Sequence, residues 1–283
     1  MDAIHRFSKP VLHSPRAIIA FEGWGDACEA ASGAANYLIG SLDAEEPFAA
    51  IDPEEFFDFQ AHRPVVSIGE GETRRLTWPT TRFHHVPMPA EDHDLIIVIG
   101  DEPSYRWKTF SRHLTQVLCE SDVEEVLLLG SFVGQVAHTQ KVPVIGVATD
   151  PALVVRNGLL TSEYEGPTGI LGVVLEACRE AGIPSLALWA ATPHYLAANP
   201  NPKAMLALAS RTASILGFDT DLTELETVTS EYLDRVDAAL ESSDEFSAYV
   251  AELERAEPQI DGLDPEQTAG LLSEIEDYLR YNR

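Results

Sequence analysis

Residues 16–40 read RAIIAFEGWGDACEAASGAANYLIG, and this stretch decides the fold. Residues 17–21 form a short apolar run of the kind found in buried strands. A tight Gly-Trp-Gly turn follows at residues 23–25. The alanine-rich run after the turn has high helix propensity and stops at Gly40. A strand, a glycine turn and a helix in this order predict the opening unit of an α/β domain.

The turn itself allows two interpretations. Asp26 stands where the helix should begin and Glu29 follows three residues later, which is the spacing of a capping box. In the first interpretation Asp26 caps the helix, and Trp24 packs over the sheet edge or in a subunit contact. In the second, Trp24 is the wall of a small-ligand pocket and Glu22 or Asp26 supplies polar contacts. Phosphate binding is not expected, because Cys28 replaces the third glycine of a dinucleotide fingerprint and the turn is acidic.

Composition limits the classes of partner. The formal net charge is −27 over 283 residues. Nucleic acids and anionic membranes both require a basic face, so neither is an expected partner. No segment reaches the ~20 apolar residues of a membrane span, and no signal peptide is recognised at the N-terminus. Three widely spaced cysteines without a C-x-x-C pair are typical of reduced, buried thiols, and we expect a cytoplasmic protein.

The rest of the chain alternates apolar runs with helical patterns. Strands are predicted at residues 47–51, 81–86, 94–100, 125–130, 142–149 and 186–190. Helices are predicted at residues 105–119, 170–181 and 200–216, and a short one after Asp52. Residues 65–68 and 74–78 flank a glycine turn and predict a β-hairpin, either as an antiparallel edge or as a flap that residues 81–86 extend. This order predicts a central, mostly parallel sheet with helices on both faces.

Composition changes at Gly217. Residues 218–283 hold 19 of the 46 acidic residues but only 4 of the 19 basic ones. Apolar residues at helical spacing predict helices over 222–239 and 264–279. We therefore predict two units, an α/β domain over residues 1–217 and an acidic helical extension over residues 218–283. The apolar faces of the extension would pack on the parent domain or on a partner subunit, or the extension would only add solubility.

Polar residues follow several predicted strands, and in a doubly wound sheet they would gather on one rim. Carboxylates beside histidine can perform acid–base chemistry, although an aspartate after a strand is also a common helix cap. Nothing marks a nucleophile, because Ser131 lacks the G-x-S-x-G elbow. We expect no catalytic residues, no metal and no cofactor. The candidate ligand-binding residues are Glu22, Trp24, Asp26, Asp101, Ser131, His138, Glu165 and His194.

Several motifs resemble one known family. They are EGWGDA at 22–27, VAHT at 136–139, VIGVATD at 144–150, YEGPTGI at 164–170 and LWAATPHY at 188–195. In this order the sequence resembles the PAC2 family, the proteasome assembly chaperone 2-like proteins, over about residues 15–217. The last two motifs most resemble the actinobacterial branch of that family.

The resemblance implies a fold similar to the nucleoside phosphorylase/hydrolase-like α/β fold. It also implies self-association, as a trimer in similar actinobacterial members, and a possible protein client. It supplies no catalytic residues. Proteasome-docking tails in some relatives end in a hydrophobic residue, tyrosine and any residue, whereas residues 281–283 are Tyr-Asn-Arg, so docking by this end is not expected.

Two functions are consistent with these observations. The first is a non-catalytic, homo-oligomeric protein that resembles an assembly chaperone or another protein-interaction factor. The alternative is an enzyme or sensor that binds a small polar metabolite, such as a nucleoside, at the strand-end rim.

Overall fold

The computed structural model describes residues 3–69, 74–197, 200–240 and 244–256, without the side chains of Asp244 and Glu245. This part of the chain alternates strands with helices. Its strands are β1 Ile4–Arg6, β2 Arg16–Glu22, β3 Ala49–Ile51, β4 Val65–Ile68, β5 Arg74–Thr77, β6 Thr81–Val86, β7 Leu95–Asp101, β8 Glu125–Gly134, β9 Val144–Ala148, β10 Leu160–Thr161 and β11 Ser185–Pro193. Its helices are α1 Ala30–Ser41, α2 Trp107–Glu120, α3 Pro151–Arg156, α4 Ile170–Ala181, α5 Pro202–Leu216, α6 Thr223–Leu240 and α7 Asp244–Arg255.

Nine of these strands form one sheet in the order β1-β3-β6-β7-β2-β8-β11-β9-β10. The central strands β7, β2, β8 and β11 are parallel, whereas β6 and β9 join this block antiparallel to β7 and β11. The chain passes from β7 through α2 to β8 on the other side of β2. The carboxyl end of β2 is therefore a topological switch point, where open α/β sheets hold their ligands.

The central strand β2 is apolar on both faces because both faces are covered. Ala17, Ile19 and Phe21 join the core beneath α2 and α4. Ile18 and Ala20 point the other way and join the core beneath α1 and α5. The prediction of an α/β sheet with helices on both faces is confirmed, and its parallel part is mainly the central block.

Local predictions differ in outcome. The hairpin is confirmed as β4 and β5, which form a separate two-stranded sheet. Residues 81–86 do not extend it; they are β6 of the main sheet, between β3 and β7. The helix predicted after Asp52 is wrong, since only turns occur there. Of the three free thiols, Cys28 and Cys178 are buried as predicted, but Cys119 is exposed.

The first helix predicted beyond Gly217 is present as α6. It packs on α5, and Tyr232, Val236 and Leu240 join Tyr195 of the main body in a small apolar cluster. The helix predicted over residues 264–279 lies outside the described residues. The division of the chain at residue 217 stays a prediction.

Gly130 in β8 allows the Trp189 ring to lie close to the backbone, which a larger residue would prevent. A Cβ at this position would lie 2.6 Å from the Trp189 ring, so the ring must lie directly on the glycine backbone. We expect Gly130→Ala to lower the free energy of unfolding by about 1–3 kcal/mol, because the partly buried Trp189 ring has to move. Gly40→Ala is the matched control. No atom lies within 4 Å of that Cβ, so this helix substitution should be neutral or stabilising by up to about 1 kcal/mol in urea unfolding.

Candidate functional site

The Gly-Trp-Gly turn at the end of β2 is held by Glu102. One carboxylate oxygen of Glu102 accepts a hydrogen bond from the Trp24 backbone N–H at 3.1 Å. The other accepts from the Ile170 N–H at 2.8 Å, at the first residue of α4. A carboxylate is favoured at a helix N-terminus, so one side chain both caps α4 and ties it to the turn. Glu102 is not among the candidate residues predicted from the sequence.

Asp26 caps α1, although not as a capping box. The helix begins at Ala30, and Glu29 lies before it in the left-handed region with φ 51°. The buried Asp26 carboxylate accepts from the N–H groups of Ala31 at 2.7 Å and Ser32 at 3.1 Å, and also from the Ser32 hydroxyl. Burial raises its pKa, while these hydrogen bonds oppose the rise. The capping function of Asp26 is confirmed, but the predicted partnership with Glu29 is wrong.

Ser131 is also fully used inside the structure. Its hydroxyl donates to the Ala27 carbonyl at 2.9 Å, and its N–H donates to the Gly25 carbonyl at 2.8 Å. Asp26 and Ser131 form an isolated parallel bridge. The side chain therefore holds the turn against β8 and has no free proton to give to a base.

Beside this turn lies an open cleft of about 390 Å³ on the α4 face of β9 and β11. Trp189 is part of its floor, and Trp24 stands at its edge with 63% of its surface exposed. The loop before α4 closes another side with Tyr164. The remaining lining is mostly apolar: Phe132, Val133, Ile145, Val147, Leu171, Leu175 and Ala187, with Ser162, Gly166, Pro167, Thr168 and Gly172. The volume is within the range of ligand pockets.

Carboxylates gather next to the cleft. Glu22 and Asp101 are directly opposite each other across β2 and β7. Burial and then the charges of Asp101, Asp26 and Glu29 raise the pKa of Glu22. Glu165 is exposed in the loop beside Tyr164. The surroundings of Glu22 thus favour a cation over an anion.

The two predicted histidines lie elsewhere, where the main sheet meets α6 and α7. The Tyr195 hydroxyl accepts from the His138 N–H at 2.8 Å and lies 2.7 Å from His138 Nδ1. His138 Nε2 lies 2.8 Å from Asp237 of α6. If the hydroxyl donates to Nδ1, the ring proton is on Nε2 and is donated to Asp237. Burial strongly raises the pKa of Tyr195, so this hydroxyl stays protonated.

His194 makes a similar connection to α7. It is buried, and its Nε2 lies 3.0 Å from the Tyr249 hydroxyl. Its Nδ1 lies 3.4 Å from the Gly134 carbonyl. Burial lowers the pKa of His194.

The predicted site residues therefore fall into separate groups. The first holds the turn and the cleft edge: Glu22, Trp24, Asp26, Asp101 and Ser131. His138 and His194 lie in the second group, on the helical side, and Glu165 belongs to the cleft loop. Sequence reasoning missed the partners Glu102, Asp237 and Tyr249, and it missed Trp189 as the cleft floor. A glycine inside the apolar run at 125–130 was the one signal for a ring packed on the backbone.

The burial of His194 predicts a pH dependence. Its folded pKa lies below the ordinary 6.5, so the unfolded chain takes up the proton first as the pH falls. The stabilising contribution is complete above about pH 6.5 and is lost as the pH falls toward the folded value. We expect the urea-unfolding free energy of wild type to drop more between pH 7.5 and 5.5 than that of His194→Gln. Parallel pH profiles would contradict this expectation.

The geometry defines an α/β protein with an open aromatic cleft. The buried side chains of Asp26 and Ser131, at the switch point, form hydrogen bonds within the fold. Across the described residues, no group of three or more His, Cys, Asp or Glu is placed to hold a metal ion. No helix within the described ranges has the length and apolarity needed to cross a membrane.

The model of the PAC2 family matches residues 20–240, and the chain belongs to this family. A solved PAC2 family protein from Streptomyces avermitilis is 43% identical, with a TM-score of 0.78, over 83% of this chain and 99% of that one. A protein of Mycobacterium tuberculosis described as a proteasome-assembly chaperone homologue is 39% identical, with a TM-score of 0.76 and the same coverage.

More distant structures share the fold alone. PbaB of Pyrococcus furiosus, described as an archaeal proteasome activator, is 20% identical with a TM-score of 0.67, over 83% of this chain and 97% of that one. A search of curated proteins found no match. The predicted family and its actinobacterial relatives are thus confirmed.

Proposed function

We propose that this chain is a non-catalytic, homo-oligomeric cytoplasmic protein that assists the assembly of other proteins. The observation that carries the proposal is the 39% identity, over most of both chains, to the mycobacterial protein described as a proteasome-assembly chaperone homologue. The resemblance to actinobacterial members makes a trimer the expected oligomer. The partners would be further copies of the chain and a protein client.

The arrangement of polar groups supports a non-catalytic function. Asp26, Ser131 and His138 carry the kinds of side chain that acid–base or nucleophilic chemistry would use. Each forms hydrogen bonds within the fold that hold a turn or a helix. A polar metabolite is less well matched to the cleft, because its lining is mainly apolar and aromatic.

The test is native purification of the full chain, with light scattering for the mass of the particle and mass spectrometry for any protein that remains bound. A defined oligomer with a stoichiometric second protein supports the proposal and identifies the client. A monomer at all concentrations contradicts the homo-oligomer.

A thermal-shift panel of nucleosides and related polar metabolites tests the alternative. Metabolite binding at the cleft would give a shift that Trp24→Ala abolishes. Phe7→Ala is the matched control, because Phe7 is 64% exposed against 63% for Trp24 and does not line the cleft. A specific shift of this kind would replace the assembly function by a sensor or an enzyme.

A further inference from the structure

The hairpin of β4 and β5 stands apart from every core cluster. All eight of its strand residues are exposed. The register pairs Val66 with Leu76 and Ile68 with Arg74. Side chains alternate between the two faces of a strand, so these four residues share one face. We call Val66, Ile68 and Leu76 the apolar face of the hairpin.

This apolar face has no cover within the described chain. Val66 is 56% exposed, Ile68 70% and Leu76 47%. A hairpin of two strands is at best marginally stable in water without a packing partner. Its base is anchored where the Phe59 and Trp78 rings pack with centroids 4.7 Å apart. The hairpin therefore has the properties of an arm that packs on another surface.

The cleft has complementary properties. A cavity of roughly 150 Å³ holds one benzene ring. The cleft measures about 390 Å³ and therefore accommodates about two apolar side chains. No lysine or arginine is among the described residues that line it. Glu163 and Glu165 flank the lining residue Tyr164, and Glu22 borders an adjoining recess that shares Leu171 and Trp189 with the cleft. The cleft fits an apolar segment that also carries positive charge.

We propose that the apolar face of the hairpin docks in the cleft of a second copy of this chain. Arg74, which shares this face, then meets the carboxylates of Glu163 and Glu165 at the cleft rim. This inference rests on the proposed homo-oligomer and names its interface. The contact joins two different surfaces, and such head-to-tail contacts close into a ring when the rotation allows.

Charge favours a partner of this kind. The chain carries 46 acidic and 19 basic residues, so two surfaces chosen at random would repel. Strand β5 brings Arg74 to an exposed position on the apolar face. Glu70 and Glu72 lie between the two strands in the sequence, outside the described residues, so the complementarity rests on the strand and not on the whole hairpin.

The hairpin does not fill the cleft of its own copy, because its strand residues are exposed and none of them lines the cleft. It leads into β6, whereas the cleft lies over β11 and β9, with β7, β2 and β8 in between. Four strand spacings of about 4.8 Å separate β6 from β11, roughly 19 Å.

The first experiment measures the dissociation constant of the full-length oligomer by light scattering over a concentration series. Ile68→Asp puts a charge on the apolar face, and we expect the dissociation constant to rise at least ~100-fold. Val65→Asp is the matched control. Val65 is 65% exposed against 70% for Ile68, but it lies on the opposite face of the same strand. It should change the dissociation constant less than ~3-fold.

Charge reversal provides the second experiment. Arg74→Glu should weaken the oligomer ~10-fold or more, and so should Glu163→Arg with Glu165→Arg. All three changes together restore the attraction and should recover most of the wild-type affinity. Circular dichroism should show the same fold in each variant, because all of these residues lie outside the core.

Two outcomes separate this inference from the proposed function. If wild type is an oligomer and Ile68→Asp leaves its mass unchanged, the oligomer stands and the hairpin interface is overturned. If wild type is a monomer at all concentrations, the homo-oligomer itself fails. Altered hydrogen exchange in residues 257–283 of Ile68→Asp, at unchanged mass, would make the C-terminal segment of the chain the occupant and would also overturn the inference.

Discussion

Asp26→Ala is expected to lower the free energy of unfolding by about 3 kcal/mol. The substitution leaves the buried N–H groups of Ala31 and Ser32 without their acceptor, and each such loss costs roughly 1–3 kcal/mol. These groups belong to the first turn of α1, which packs against β2, β7 and β8. Equilibrium urea unfolding measures the effect.

A control variant at Asp150 isolates the contribution of burial. Asp150 also caps a helix, with its carboxylate 2.9 Å from the Ala152 N–H, but it is exposed to water. Asp150→Ala should therefore cost only about 0.5–1 kcal/mol. An equal loss for the two alanine variants would show that capping alone, without burial, explains the effect.

Asp26→Asn tests the charge of the buried carboxylate. The pKa of Asp26 is raised above 3.8 by burial, so the folded chain holds this proton more tightly than the unfolded chain. The stability that this group contributes is complete below about pH 3.8 and is lost as the pH rises toward the raised folded pKa. Relative to wild type, the Asn variant should thus gain stability from pH 3.5 upward.

His138→Ala is the second large effect, with an expected loss of about 3 kcal/mol. The ring is buried, and its removal takes away the side chain that links the Tyr195 hydroxyl to Asp237, although the hydroxyl keeps the backbone N–H of residue 138. It also leaves a cavity between the sheet and α6. Hydrogen exchange should become faster in residues 223–240, because α6 loses a tie to the main body.

The His5–Asp52 pair is the matched control, since its 2.8 Å distance equals that of the His138–Asp237 pair. His5 has 53% of its side chain exposed, whereas His138 has 3%. An exposed ion pair contributes less than about 1 kcal/mol, so His5→Ala should have little effect. A similar loss in both variants would contradict the importance of burial.

Much of the fold was predictable because its signals are local. The apolar runs of β2, β7 and β8 are long enough to require cover on both faces, and the glycine turn connects β2 to its helix. The pairing of the strands was harder to predict from the sequence. Residues 81–86 lie near the hairpin in sequence, yet they pair with β3 and β7 of the main sheet.

The candidate site was predictable only in part. Residues at strand ends were identified, since the carboxyl ends of parallel strands meet at one edge. Their separation into a turn group and a histidine group depends on partners from distant segments. Asp237 lies 99 residues from His138. No local pattern in the sequence predicts such a pairing.

The sequence by itself determined the α/β class, the capping function of Asp26 and the membership of the PAC2 family, because propensity, periodicity and motifs act over a few residues. The tertiary structure alone decided that Glu102 joins the turn to α4, that Trp189 lies on Gly130 as the cleft floor, and that the hairpin leaves its apolar face uncovered. These features depend on contacts between segments far apart in the chain. Such contacts form only when the whole core packs.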